Sequence, residues 1–181
     1  MSKTLATDVN VRIHANYVDS DDLNDQRGNL SAMFEDALAT GTGADCANVL
    51  WYDSRTVAGA AEEIDLAGAL EDVFNDTVTF AEIKGIYIRN KSTTTGETLT
   101  IGGSTFNAFA SWVANSTDKV IIGPGGVLLL WNPADGYTVE AGGGGSGSGS
   151  GSASGDAGDY LKIDPGSATI EYDIILIGDA A

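Results

Sequence analysis

The chain holds a single histidine, His14, and a single cysteine, Cys46, and these two residues limit the chemistry that 181 residues can carry. Acyl transfer of the Ser-His-Asp kind would have to run through His14. No serine sits in a Gly-x-Ser-x-Gly elbow, and His14 falls among the polar positions of an alternating segment, so it reads as a surface histidine. Cys46 has no partner for an intrachain disulfide and reads as a small buried hydrophobe. One His and one Cys fall short of a tetrahedral zinc set. Asp19, Asp21, Asp22 and Asp25 cluster as calcium ligands do. However, Leu23 stands where the EF-hand pattern needs Asp or Asn, and Gly28 follows too late for its sharp turn. That segment reads as a solvated acidic loop.

Gly41-Thr42-Gly43 lacks the third glycine of a dinucleotide fingerprint, and no glycine-rich segment ends in Gly-Lys-Ser/Thr, so phosphate cradles are not expected. Asp53 and Arg55 can pair across one face of a strand as a surface ion pair. Glu62, Glu63 and Asp65 are close enough in sequence to crowd, without a recognisable acid/base pattern. Trp51, Trp112 and Trp131 could line a sugar groove; most of their area is assigned instead to the core or a subunit interface. No catalytic, cofactor-binding or metal-ligating residue is assigned, and the expectation is a protein that is not an enzyme.

Net charge is −17 with only 9 Lys and Arg, a field that repels phosphate backbones and anionic lipid headgroups. Neither nucleic acid nor a membrane is an expected partner. No apolar run reaches membrane-span length, and Met1 to Thr7 lacks a signal-peptide core, so synthesis in a cytosol is expected, where the sequons at Asn29, Asn90 and Asn115 carry no glycan.

The elements that would position these residues are strands. Twenty-four glycines imply many turns. Val120–Ile122 and Val127–Trp131 flank Gly123-Pro124-Gly125-Gly126, which predicts a strand, a reversal and a second strand. The unbroken apolar run Val127–Trp131 predicts burial on both faces, as does Ile174–Ile177. Val9 to Tyr17 alternates with period two and predicts a half-buried strand; Asp19 to Asn29 reads as an exposed loop. Leu30 to Leu38 has helical spacing over too few residues to choose between a short helix and a strand across Met33–Ala39. Further strand patterns lie in Ala47–Val57, at Ile64, in Val78–Asn90, at Leu99–Ile101, and in Tyr137–Ala141, Tyr160–Ile163 and Thr169–Ile177. The connection Asn107–Thr117 is long enough to cross between two sheets. Gly142–Gly155 is almost wholly Gly and Ser and reads as a flexible hairpin loop.

About ten short strands at this spacing predict an all-β chain, a jelly-roll-like β-sandwich. Its expected division is an N-terminal strand or arm with an acidic loop over residues 1–29 and a sandwich domain over residues 30–181.

Several segments, in order, carry a family likeness. They are Gly41 to Val57, Ile64-Asp-Leu-Ala-Gly-Ala-Leu70, Phe80 to Asn90, Leu99-Thr-Ile-Gly-Gly103, Pro124-Gly-Gly-Val-Leu-Leu-Leu130, Tyr137-Thr-Val139, Asp159 to Ile163 and Tyr172 to Gly178. In that order the chain resembles small β-rich virion structural proteins of tailed bacteriophages. The Gly142–Gly155 insertion departs from the pattern.

The resemblance implies a capsid decoration or cement protein, synthesised in the host cytoplasm, that binds the major capsid protein on the capsid exterior and stabilises the lattice. Such a protein sits at a local symmetry axis, which favours a homotrimer or another closed ring. Met1–Tyr17 and the region around Phe34 are then the candidates for the subunit contact or for an arm that grips the shell; the equal alternative is that Val9 to Tyr17 is another sandwich strand, because one alternating face fits either use. The reading kept beside it is a tail-associated or receptor-binding module recognising a host surface glycan. A hydrolase is disfavoured by the single histidine.

Overall fold

A computed structural model describes residues 4–20, 25–68, 70–140 and 158–181, and these residues form strands, turns and no helix. In chain order the strands are β1 (Val9–Ser20), β2 (Asp25–Asp36), β3 (Ala39–Thr40), β4 (Cys46–Ala47), β5 (Val49–Ala58), β6 (Glu62–Asp65), β7 (Leu70–Glu71), β8 (Thr77–Val78), β9 (Phe80–Asn90), β10 (Leu99–Gly102), β11 (Lys119–Ile122), β12 (Val127–Trp131), β13 (Tyr137–Thr138), β14 (Tyr160–Asp164) and β15 (Thr169–Ala180).

Two sheets enclose the core. One runs β12-β9-β15-β5, with β13 pairing β9 beyond the end of β12, and the other runs β11-β10-β14-β6. All pairs within them are antiparallel and nested: β5 with β15, β6 with β14, β9 with β12, β10 with β11. One long hairpin wound over on itself gives this order. The inward side chains of both sheets merge into a single apolar cluster. Trp51, Ile86, Ile88, Ile174 and Leu176 come from the first sheet, and Ile64, Leu99, Ile101, Leu161 and Ile163 from the second. The fold is therefore an all-β sandwich, as the strand count predicts.

Several local expectations are corrected. Residues 30–36 are strand, not helix: Leu30 to Asp36 pair with Ala15 back to Val9. Asp19, Ser20 and Asp25 to Asn29 belong to the same hairpin rather than to a loop, so a division after Asn29 falls inside β2. The Gly123–Gly126 reversal is present, with Gly126 N–H donating to Gly123 C=O at 3.0 Å and Gly125 at φ 70°. Pro124 followed by a left-handed glycine gives this turn its shape. Yet β11 and β12 do not pair; the turn carries the chain from one sheet to the other. Conversely, the long connection after β10 returns to β11 in the same sheet and is no crossover. Gly142–Gly155 lies outside the described residues, and β13 and β14, which flank it, pair with other strands rather than with each other as a hairpin would.

Two bulges reset the side-chain alternation of β9. Ile177 faces Gly85 while Gly178 faces Ile83, leaving Lys84 as the extra residue; Asp179 and Ala180 then face Glu82 and Phe80. The inward residues Phe80, Ile83, Ile86 and Ile88 accordingly lose strict period two. Gly178 is required here, because a Cβ would stand 2.0 Å from Glu82 C=O.

Candidate interaction surface

The β1–β2 ribbon is amphipathic. Cross-strand register puts Val11 opposite Phe34, Ile13 opposite Ala32, Ala15 opposite Leu30 and Tyr17 opposite Gly28. Period two then places all eight on one face, and Arg12, His14, Asn16, Arg27, Asn29 and Ser31 on the other, together with the exposed Met33 and Val18. The apolar face is open to solvent: Ile13 is 58% exposed, Tyr17 76% and Leu30 56%. None of the ribbon's residues joins the core cluster. The predicted alternation is present, but the half-burial is not.

A second uncovered apolar surface lies on the outside of the five-stranded sheet. Register lines up Tyr52, Ile175, Tyr87 and Leu129 across β5, β15, β9 and β12, and beside them Leu50, Ile177, Gly85 and Trp131. The next row, Ser54, Asp173, Arg89 and Val127, begins the polar rim. Two fully apolar rows on the outer face of an antiparallel sheet call for a cover. Val127 and Leu129 are exposed while Leu128 and Leu130 pack on the core, so β12 is not buried on both faces as its composition predicts. Ile174–Ile177 follows the same pattern, with Ile174 and Leu176 inside and Ile175 and Ile177 half-buried outside.

The ribbon root joins the two surfaces. Trp131 Nε1–H donates to Asp36 Oδ2 at 2.7 Å, and Leu38 N–H donates to Thr7 Oγ1 at 3.0 Å. Gly85 makes room for the indole: a Cβ there would stand 2.7 Å from Trp131 Cζ3. Between root and sheet runs a groove of about 520 Å³, lined by Val9, Val11, Tyr87, Leu129, Trp131 and Ile177 among others.

The candidate chemical groups are dispersed. His14 is exposed on the polar face of the ribbon, and Cys46 is half-buried and free. Asp19 and Asp25 face solvent at the distal end of the ribbon; Asp21 and Asp22 lie outside the described residues. Among the described residues no three His, Cys, Asp or Glu side chains group as a metal site. Glu62, Glu63 and Asp65 do not crowd. Glu63 accepts from Ser104 at 2.5 Å and Asp65 from Ala67 N–H at 2.9 Å, while Glu62 turns to Arg55 and Tyr172.

The expected Asp53–Arg55 pair is present at 3.0 Å, and it is part of a larger network. Arg55 also reaches Glu62 at 2.8 Å, and the Tyr172 hydroxyl donates to the other Glu62 oxygen at 2.5 Å. Glu62 belongs to one sheet and its two partners to the other, so the network ties the sheets at the β5/β6 edge. Burial, followed by the hydrogen bond and charge of Glu62, raises the Tyr172 phenol far above the ordinary tyrosine value. Burial works against the Arg55 charge, but hydrogen bonding and attraction to Glu62 outweigh it and raise that pKa as well. This is ion pairing that joins the two sheets.

Compared with known proteins, the chain matches no family model, no curated protein and no solved structure. The three tryptophans divide as follows: Trp51 is in the core, Trp112 packs half-buried on it with its indole N–H on Phe109 C=O at 3.0 Å, and Trp131 is on the outer face. The outer-face residues Tyr52, Tyr87, Leu129 and Ile175 were not singled out by sequence reasoning. The signal that marks them is the pair of unbroken apolar runs, once those runs are assigned to a sheet with only one covered face.

Proposed function

We propose that this chain is a bacteriophage virion structural protein, a capsid decoration or cement protein that binds the outside of the major capsid lattice as a homotrimer or similar ring. The observation that carries the reading is the pair of uncovered apolar surfaces, ribbon face and outer sheet face, on an otherwise acidic sandwich. A protein made to be covered by neighbours has this distribution; a free-standing acidic monomer does not. The nested strand pairing supports the jelly-roll form of the sandwich, and the ordered motifs from Gly41 to Gly178 supply the resemblance to virion proteins. The test adds purified chain to capsid shells that lack it and locates the added density by cryo-electron microscopy. Density at threefold or quasi-threefold positions is expected, together with a raised disruption temperature of the shell. Shells that stay bare overturn the reading.

A second reading, a tail-associated module that recognises a host glycan, draws on one feature. Tyr52 and Tyr87 flank a hollow of about 470 Å³ that also carries Ser54 and Asp173. Aromatic faces beside hydroxyl and carboxylate groups suit a sugar ring. Glycan binding without shell binding selects this reading over the first.

A further inference from the structure

The two uncovered surfaces lie on the same chain, and their shapes are complementary in kind. The ribbon presents a narrow apolar strip, Val11, Ile13, Ala15 and Tyr17 beside Phe34, Ala32 and Leu30, on strands of twelve residues each. At roughly 3.4 Å per residue the strip from Val11 to Tyr17 is about 20 Å long. The outer sheet face presents two adjacent apolar rows across four strands, about 15 Å from β5 to β12 at the usual strand spacing. Among the described residues, the root of the ribbon meets the sheet, with Asp8 to Arg12 walling the groove and Asp36 bonded to Trp131, while Ile13, Tyr17 and Leu30 farther along are exposed.

We infer that the ribbon of one copy lies across the outer face of the five-stranded sheet of a second copy, so that each chain gives its ribbon to one neighbour and receives a ribbon from another. The inference rests on the proposed ring for the expectation that this head-to-tail contact closes, and it adds which surfaces meet. Four observations choose a second copy as the occupant.

An isolated two-stranded ribbon is at best marginally stable in water, so these strands need a cover in the functional protein. Alternate residues of the two strands, 12 of the 24, face one side, about half of one side of a standard interface of roughly 20–30 residues, and each chain makes the contact twice, once with its ribbon and once with its sheet. The cover is already begun intramolecularly, because the groove at the root continues onto the open rows of the sheet. A ribbon-to-ribbon contact would leave the sheet rows bare, and a sheet-to-sheet contact would leave the ribbon bare. The heterologous contact covers both.

The test is complementation in the purified full chain. One variant carries Ile13→Glu and Phe34→Glu on the ribbon, and the other carries Tyr52→Glu and Leu129→Glu on the sheet. All four sites are exposed, so each variant should keep the wild-type circular dichroism and cooperative melt. By sedimentation velocity the wild type is expected to run as a closed assembly and each variant as a monomer. An equimolar mixture is expected to form a dimer and stop there, since it holds one intact ribbon and one intact sheet. A monomeric wild type, a variant that assembles normally, or a mixture that stays monomeric overturns the inference.

Hydroxyl-radical footprinting of the wild type across its dissociation range gives a reading independent of variant folding. Tyr17 and Phe34 must gain protection together with Tyr52 and Leu129. Protection of one set alone, or protection that appears only when capsid shells are added, also overturns it. Assembly as described with no shell binding would instead remove the decoration reading and leave this contact standing.

Discussion

Tyr172, at 0% exposure, is the most deeply placed polar side chain of the network that ties the two sheets. Replacing it by Phe keeps the ring and deletes one hydrogen bond to a carboxylate that retains Arg55, so the expected cost is about 1–2 kcal/mol, or roughly 3–6 °C in Tm. The variant also carries a pH signature. An unfolded tyrosine ionises near 10, whereas the folded Tyr172 phenol is held neutral well above that by burial and Glu62. Above about pH 10 the unfolded chain has lost a proton that the folded chain keeps. The contribution is therefore complete below the unfolded value and drains away as pH rises toward the folded one. Melting of the wild type should decline between about pH 9 and 11, and Tyr172→Phe should decline less steeply. Equal slopes would separate the phenol from the effect.

Gly85 supports a second residue-scale prediction. Gly85→Ala sets a methyl group 2.7 Å from the Trp131 ring, which must move and release Asp36. A cost of about 1–2 kcal/mol and faster proteolysis within the ribbon are expected.

At the scale of elements, the ribbon and the sandwich should separate cleanly. The core cluster begins at Trp51, and the hydrogen bonds that tie residues 1–36 to the rest at the root include Trp131–Asp36, Thr7–Leu38 and Thr40–Leu5. Deleting residues 1–36 should leave the β-sheet circular dichroism and a melt lowered by only about 1–2 kcal/mol, while abolishing self-association. Loss of the cooperative melt would place the ribbon in the folding unit.

The sequence shows why this separation was only half legible. Alternation in Val9–Tyr17 locates β1, but period two is the same whether its apolar face is covered by the same chain or by another. In Leu30 to Asp36, Leu30, Phe34 and Ala32 follow the strand period as well as a partial helical one, and pairing with β1 decides between them. Val127–Trp131 and Ile174–Ile177 are strands as read, but unbroken hydrophobicity equates burial inside a domain with burial at a contact. The bulge at Lys84 is invisible in composition, because an extra residue changes register without changing residue type. Arg55 and Asp53 were legible as a local pair; Glu62 and Tyr172 join them only through the packing of one sheet on the other.

For the whole molecule, charge and hydrophobicity act in opposite directions. Each chain carries −17, so copies approaching one another repel at long range, while the surfaces proposed to meet are apolar over most of their area. Screening weakens the repulsion as the Debye length falls from about 10 Å at 0.1 M salt to about 3 Å at 1 M, and it leaves apolar burial intact. Self-assembly should therefore tighten with ionic strength. The dissociation constant is expected to fall several-fold between about 0.05 M and 0.5 M sodium chloride, and further in sulfate, which strengthens apolar burial. Sedimentation equilibrium over a salt series measures this directly. Assembly that weakens as salt rises would mean that charge pairs, rather than the ribbon strip on the sheet rows, hold the copies together.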